Sequence, residues 1–249
     1  MNPFLMLVMV EVGLAVITFA ILMWTPAPYG RNIRPGWGPT LPSRAAWIIM
    51  ESPGVLWVGA VFFSGRHHTE LLPCIFLGLW LCHYGHRTFI WPFRMRLAGR
   101  RMPWLVVLLA LSFNFLNGYI NAIFISDVAT YGVNDWTRLT LWLGLALFVA
   151  GLVINLYADE ILRGLRKDGE GGYQLPERGP FRFITSANYF GEMVEWIGWA
   201  LMTRSPAGWA FALYTAANLA PRARSHHRWY RERFEQIPAS RKALIPFVW

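Results

Sequence analysis

Seven apolar stretches, residues 4–24, 45–63, 71–91, 103–125, 139–157, 190–202 and 206–219, punctuate a chain of 249 residues. Most approach the roughly 20 residues that a helix needs to cross about 30 Å of hydrocarbon. The last two are shorter and meet at Thr203-Arg204-Ser205-Pro206. Hydrophobic residues make up 55% and charged residues 15%, a balance foreign to most soluble domains and ordinary in a membrane. The expected fold is an all-α integral membrane protein with seven transmembrane helices. The first stretch lacks a basic leader and a small-residue cleavage site, so it is read as a retained helix. With no internal repeat or low-complexity linker, residues 1–249 read as one membrane-embedded domain.

The basic residues test that count. With seven crossings, Arg66, Arg138 and Arg204 fall on one face and Arg87 falls within a span. Every other Lys and Arg falls on the opposite face. Basic loops stay cytoplasmic, which puts the N-terminus outside and the C-terminus in the cytoplasm. The net charge of +9 is then largely topological, and membrane lipid headgroups suffice as its partner. A polyanionic cofactor is the sharper reading. Nucleic acid is not expected, because the charges are divided among membrane-bordering loops with no recognition motif. Cys74 and Cys82 share one apolar stretch at a spacing unlike a metal or redox motif. No metal is expected, and the chain is read as a monomer.

Against this background the carboxylates stand out. Glu51 interrupts the second stretch, and Glu192 and Glu195 interrupt the sixth. A carboxylate costs roughly 2.5–3.5 kcal/mol at a helix centre on insertion scales, so such groups face a cavity, a partner or a substrate. Glu51 lies six residues into its stretch, about 9 Å deep at 1.5 Å per residue. Tyr84 lies seven residues before Trp91, on a stretch running the other way, at roughly 10 Å. Acid and phenol therefore share a level. A protonated Glu and a Tyr hydroxyl both donate hydrogen bonds, so the pair can hold one oxygen of an otherwise apolar molecule. Bonding of both groups to neighbouring helices is the competing reading.

Tyr84 is flanked by His83, His86 and Arg87, and no acidic or Cys partner joins the two imidazoles at a ligand spacing. Asn114, Asn117 and Asn121 form a polar stripe on the fourth stretch; helix-to-helix bonding is the usual reason for one. A place in the substrate pocket is the alternative, taken for Asn114. Nearer the cytoplasm, Asn155, Asp159, Arg163 and Arg166 share a face, as do Asn188, Glu192 and Glu195. With Arg222, Arg224, His226 and Arg228 they supply the donors and acceptors suited to ribose, carboxamide and phosphate. A salt-bridged helix cap is the plainer account of Asp159 and Arg163. Residues 168–173 have the composition of a turn but do not complete G-x-G-x-x-G and follow no strand, so no Rossmann site is expected.

Four segments carry a resemblance: Leu81-Cys82-His83-Tyr84-Gly85-His86-Arg87-Thr88-Phe89, residues 155–166, Asn188-Tyr189-Phe190-Gly191-Glu192-Met193-Val194-Glu195-Trp196, and Ala243-Leu244-Ile245-Pro246-Phe247. The chain resembles the steroid 5-alpha-reductases from the second stretch to the C-terminus. That resemblance implies NADPH-dependent reduction of a 3-oxo-Δ4 steroid, with hydride delivered to C5 and a proton to C4. Glu51 and Tyr84 would bind the C3 carbonyl and polarise the enone. Arg100, Asn155, Asp159, Arg166, Tyr173, Asn188, Glu192, Arg222, His226 and Tyr230 match family positions associated with the cofactor. The second to fourth helices would form mainly the substrate pocket, and residues 155–249 with the cytoplasmic loops mainly the cofactor site. The implied substrate enters from lipid, the active site opens to the cytoplasmic side, and the membrane is a bacterial inner membrane or the endoplasmic reticulum. Departures from the family pattern are a longer third loop and Ser225, where a further His is common.

Other readings differ in what they require. A membrane methyltransferase has no use for a Glu51–Tyr84 pair at that depth. A reductase acting on another ring double bond is separated by its substrates. A transporter would show inverted repeats or broken helices in matched halves.

Overall fold

The computed structural model describes residues 2–28, 32–34, 36–95, 99–165 and 174–249. Nine α-helices follow in order among these residues: α1 Pro3–Trp24, α2 Ser43–Glu51, α3 Leu56–Ser64, α4 Leu71–Gly85, α5 Trp91–Arg94, α6 Trp104–Ile123, α7 Leu139–Gly164, α8 Ala187–Thr203 and α9 Pro206–Arg233. The protein is thus a mostly helical membrane protein. Among the described residues, four helical segments are long and apolar enough to cross a bilayer: Pro3–Trp24, Ser43–Ser64, Trp104–Val128 and Leu139–Gly164.

Several elements depart from the continuous runs that the sequence suggests. The second run breaks at a 3-10 turn, Ser52–Gly54, immediately after Glu51. Pro53 removes an amide donor there, which interrupts the hydrogen-bond ladder between α2 and α3. The third run passes through a π-turn, His86–Ile90, before α5. The seventh run does not stop at Leu219: α9 continues through Pro221 to Arg233, so half of the polar tail is helix. A short β-ribbon accompanies the helices. Thr40–Pro42 and Arg101–Pro103 pair antiparallel as β1 and β2, with Leu41 opposite Met102. Prolines at both strand ends disfavour helix, and the ribbon ties the start of α2 to the start of α6.

The core is aromatic. Trp80, Trp196, Trp199, Phe76 and Phe148 are buried together, and Trp80 meets Trp199 at 5.0 Å between ring centroids. Beside it, α7 and α8 approach backbone to backbone at Gly144, Gly151, Gly191 and Gly198. A Cβ on Gly151 would stand 2.6 Å from the Gly191 carbonyl, and one on Gly144 2.7 Å from that of Gly198. The two glycine pairs, seven residues apart on each helix, let the helices that carry Asp159 and Glu192 pack without side chains between them.

Between α8 and α9, Arg204 adopts a left-handed conformation (φ 54°). Ser205 then caps α9 by accepting from Gly208 N at 3.1 Å.

Candidate active site

One cavity of about 1100 Å³ runs from the core to the ends of α7, α8 and α9. Ligand pockets span about 300–1,000 Å³, so this one lies at the large end of that range.

Its inner wall is built around the break in the second run. Trp80 donates its indole N–H to the Gly54 carbonyl at 2.9 Å and stacks on Tyr84 at 5.0 Å. Tyr84 packs directly against Gly54, where an added Cβ would collide with the phenol ring. The turn that ends α2 after Glu51 is thus the seat of the phenol, and both side chains line the cavity. Asn114 on α6 donates to the Met50 carbonyl at 2.6 Å and lines the same space. Asn117 and Asn121 instead bond to each other at 2.8 Å, and Asn121 accepts from the Trp199 indole at 2.8 Å. The asparagine stripe is therefore split between pocket and core.

The opposite end is a chain of polar bonds. Asp159, Asn188, Glu192, Arg222, His226, Tyr230 and Arg100 all line the cavity. Asn188 donates to Asp159 at 2.9 Å. Arg222 donates to the Tyr189 hydroxyl at 3.0 Å and lies over its ring. Thr185, another lining residue, bonds to His227 at 3.2 Å. Burial pushes the His227 imidazole below its ordinary pKa, and Arg231, Arg241 and Lys242 act in the same direction. The segment before α8 is clamped by the C-terminal tail: Thr185 N donates to Lys242 O at 2.9 Å and Ser186 N to Ala243 O at 3.1 Å.

The family model for 3-oxo-5-alpha-steroid 4-dehydrogenase matches residues 100–249. The steroid 5-alpha-reductase DET2 of Gossypium hirsutum is 42% identical over 244 residues, covering 95% of this chain and 93% of that protein. The 3-oxo-5-alpha-steroid 4-dehydrogenase 1 of Bos taurus is 41% identical, covering 96% of this chain and 94% of its own. That of Homo sapiens is 41% identical, with 95% and 91% covered. The chain belongs to the steroid 5-alpha-reductase family. It is accordingly an oxidoreductase acting on a CH–CH group.

Within this family member, most residues singled out from sequence converge on the one cavity. Asn155 does not. It is buried behind the wall, where it donates to the Asn188 carbonyl at 2.9 Å and so holds a lining residue in place. Arg166 and Tyr173 lie outside the described residues. Arg163 pairs with Glu160, and Asp159 accepts from Asn188.

Arg87 is the main residue missing from the sequence-based site. It sits in the π-turn, lines the cavity and covers the Trp47 ring at 5.1 Å. Glu192, Glu51, Asp159 and Tyr84 lie within Coulombic reach of its guanidinium. Its position three residues after Tyr84 was the available signal. Tyr189, within the Asn188–Trp196 segment, also lines the cavity, as do Tyr214 and Gln174, which carry no signal beyond residue type.

Proposed function

We propose that this protein reduces the Δ4 double bond of a 3-oxo-Δ4 steroid with NADPH. One observation carries the reading: Glu51 and Tyr84 open onto the same cavity as Asp159, Asn188, Glu192, Arg222 and His226. The relatives' names point to the same substrate class.

The polar end fits a phosphorylated dinucleotide by its chemistry. Arg100, Arg222 and His226 suit phosphate oxygens, while Asp159, Asn188 and Glu192 suit ribose hydroxyls and a carboxamide. When bound, NADPH supplies the hydride. The chain's own residues then orient, polarise and exclude water. Glu51 and Tyr84 donate to the C3 carbonyl, which makes C5 electrophilic and stabilises the oxygen as it gains charge. Asn114 fixes the end of α2 through the Met50 carbonyl and so aims Glu51. Apolar residues of α1 and α6, among them Ile17, Ile21 and Leu109, line the cavity and are exposed. An apolar polycycle can reach the carbonyl site by that route, while the cofactor enters from water. C5 receives the hydride and C4 a proton.

Seven crossings with the N-terminus outside and the C-terminus cytoplasmic complete the reading. The helical rods 3–24, 43–64, 71–94, 104–128, 139–164, 187–203 and 206–233 correspond in order to the seven apolar runs. The basic residues alternate as that topology requires.

The deciding experiment mixes the purified protein with NADPH and a panel of 3-oxo-Δ4 steroids and follows enone absorbance. NADPH-dependent loss of absorbance with formation of the 5-alpha product is expected. Oxidation of NADPH with a different ring double bond reduced, or no oxidation with any steroid, would overturn the reading.

A further inference from the structure

The residue before Tyr84 is held in a way that the carbonyl-binding role does not explain. His83 lines the cavity on α4, and its Nδ1 lies 2.8 Å from Oε1 of Glu195 on α8. Glu195 is fully buried, and its Oε2 has no hydrogen-bond partner among the described residues. Trp196 closes the imidazole in, with ring centroids 4.7 Å apart, and the Tyr84 ring meets it edge to face at 5.1 Å. Because Nδ1 is taken, Nε2 is the ring nitrogen left for the cavity.

A carboxylate with one partner and one bare oxygen in a dry site is better accommodated as the neutral acid. Glu195 then donates its O–H to Nδ1, and the ring N–H sits on Nε2. This arrangement is one proton transfer from a second state: if Nε2 loses its proton, Nδ1 takes the one from Glu195. The imidazole is neutral in both states, and only its tautomer and the charge on Glu195 change.

We propose that the Glu195–His83 pair is the proton store of the active site, reloading the Glu51–Tyr84 pair. The inference rests on the reduction proposed above, which consumes one proton for each hydride. As Glu51 or Tyr84 passes its O–H proton to the substrate, the Nε2–H bond breaks and the O–H bond reforms. The Glu195 O–H bond breaks and an Nδ1–H bond forms. No residue changes oxidation state, because both electrons arrive with the hydride. The lost proton returns from water at the polar end of the cavity, past Asn188 and Glu192. His83 and Glu195 act through the carbonyl-binding pair and are positioning residues.

Glu195→Gln keeps the shape and a hydrogen bond to His83 but has no proton to pass. It should leave NADPH and steroid binding within about twofold while slowing steady-state turnover on the order of 10²-fold. The solvent deuterium isotope effect should rise and that of deuterated cofactor should shrink. A packing role predicts instead that melting temperature and binding fall together with unchanged isotope effects. His83→Gln retains a nitrogen at the outer ring position and His83→Asn one at the inner. The relay needs both, so both variants should be slow, and full activity in either overturns it. Independently of turnover, ¹⁵N-histidine spectra, assigned by the signal lost in His83→Gln, should show Nε2 protonated and Nδ1 accepting at rest. An Nδ1–H resting tautomer overturns the store whether or not the wild type reduces steroids, so failure of the relay and failure of the proposed reaction are told apart.

Discussion

At the inner wall of the cavity Tyr84 is fixed by shape, pressed between the Trp80 ring and the bare backbone of Gly54. At the polar wall the lining residues are fixed by hydrogen bonds: Asn155 to Asn188, Asn188 to Asp159, and Arg222 to Tyr189. Close packing tolerates little displacement, so the inner wall suits a group that must meet a reacting carbonyl with little play. A bonded chain can adjust as a charged ligand arrives. The difference assigns separate consequences to damage at the two ends: loss of rate at one, loss of cofactor affinity at the other.

The largest effect is expected at Glu51. Glu51→Gln should fold and bind NADPH yet lose on the order of 10²-fold or more in turnover, since an amide donates more weakly and carries no acid proton. Near-normal turnover would remove Glu51 from the chemistry. Tyr84→Phe deletes one oxygen and leaves the stacking on Trp80 intact, so single turnover should fall about 10²-fold with melting temperature unchanged. Equal losses of rate and stability would make Tyr84 a packing residue.

Gly54→Ala tests the seating itself. Its Cβ would meet the Tyr84 ring, so the phenol must shift, and roughly tenfold of rate should be lost with cofactor binding preserved. At the other wall, Asn188→Ala removes one link of the bonded chain. It should raise the NADPH requirement up to about tenfold, with maximal rate nearly kept. A rate loss larger than the affinity loss would erase the distinction between the walls.

The smallest effect concerns Glu11 of α1. It is fully buried, and neither carboxyl oxygen has a partner among the described residues. Glu11→Leu should raise the melting temperature by roughly 2–4 °C without altering turnover, because a buried polar group without partners opposes folding. A fall in melting temperature would show that Glu11 is bonded in the folded protein.

Which of these features the amino-acid sequence discloses follows from their length scale. Apolar runs of bilayer length are visible directly, and depth arithmetic from Ala45 and Trp91 was enough to bring Glu51 and Tyr84 together. Side-chain direction was not. Asn155 and Asp159 share a helical face, yet a small rotation of α7 leaves Asp159 on the cavity and Asn155 behind its wall. The break at Pro53-Gly54 is hidden by the hydrophobicity around it, and the continuation of α9 past Leu219 is hidden because its polar half lacks an apolar signal. Glu195 reads as a partner of Glu192 at i, i+3, but it turns into the core toward His83. Glu11 is a single charge in a run that otherwise looks uniform. The glycine pairs of α7 and α8 follow a seven-residue spacing that acquires meaning only when the two helices are known to face each other.

The claim that one cavity brings a hydride donor from its polar end to an enone at Glu51 and Tyr84 is tested most directly by isotope transfer. Single turnover of a 3-oxo-Δ4 steroid with NADPH deuterated at the transferable position should place deuterium at C5 alone. The hydrogen gained at C4 should come from solvent. Deuterium at any other carbon, or a 5-alpha product free of label, would contradict the account.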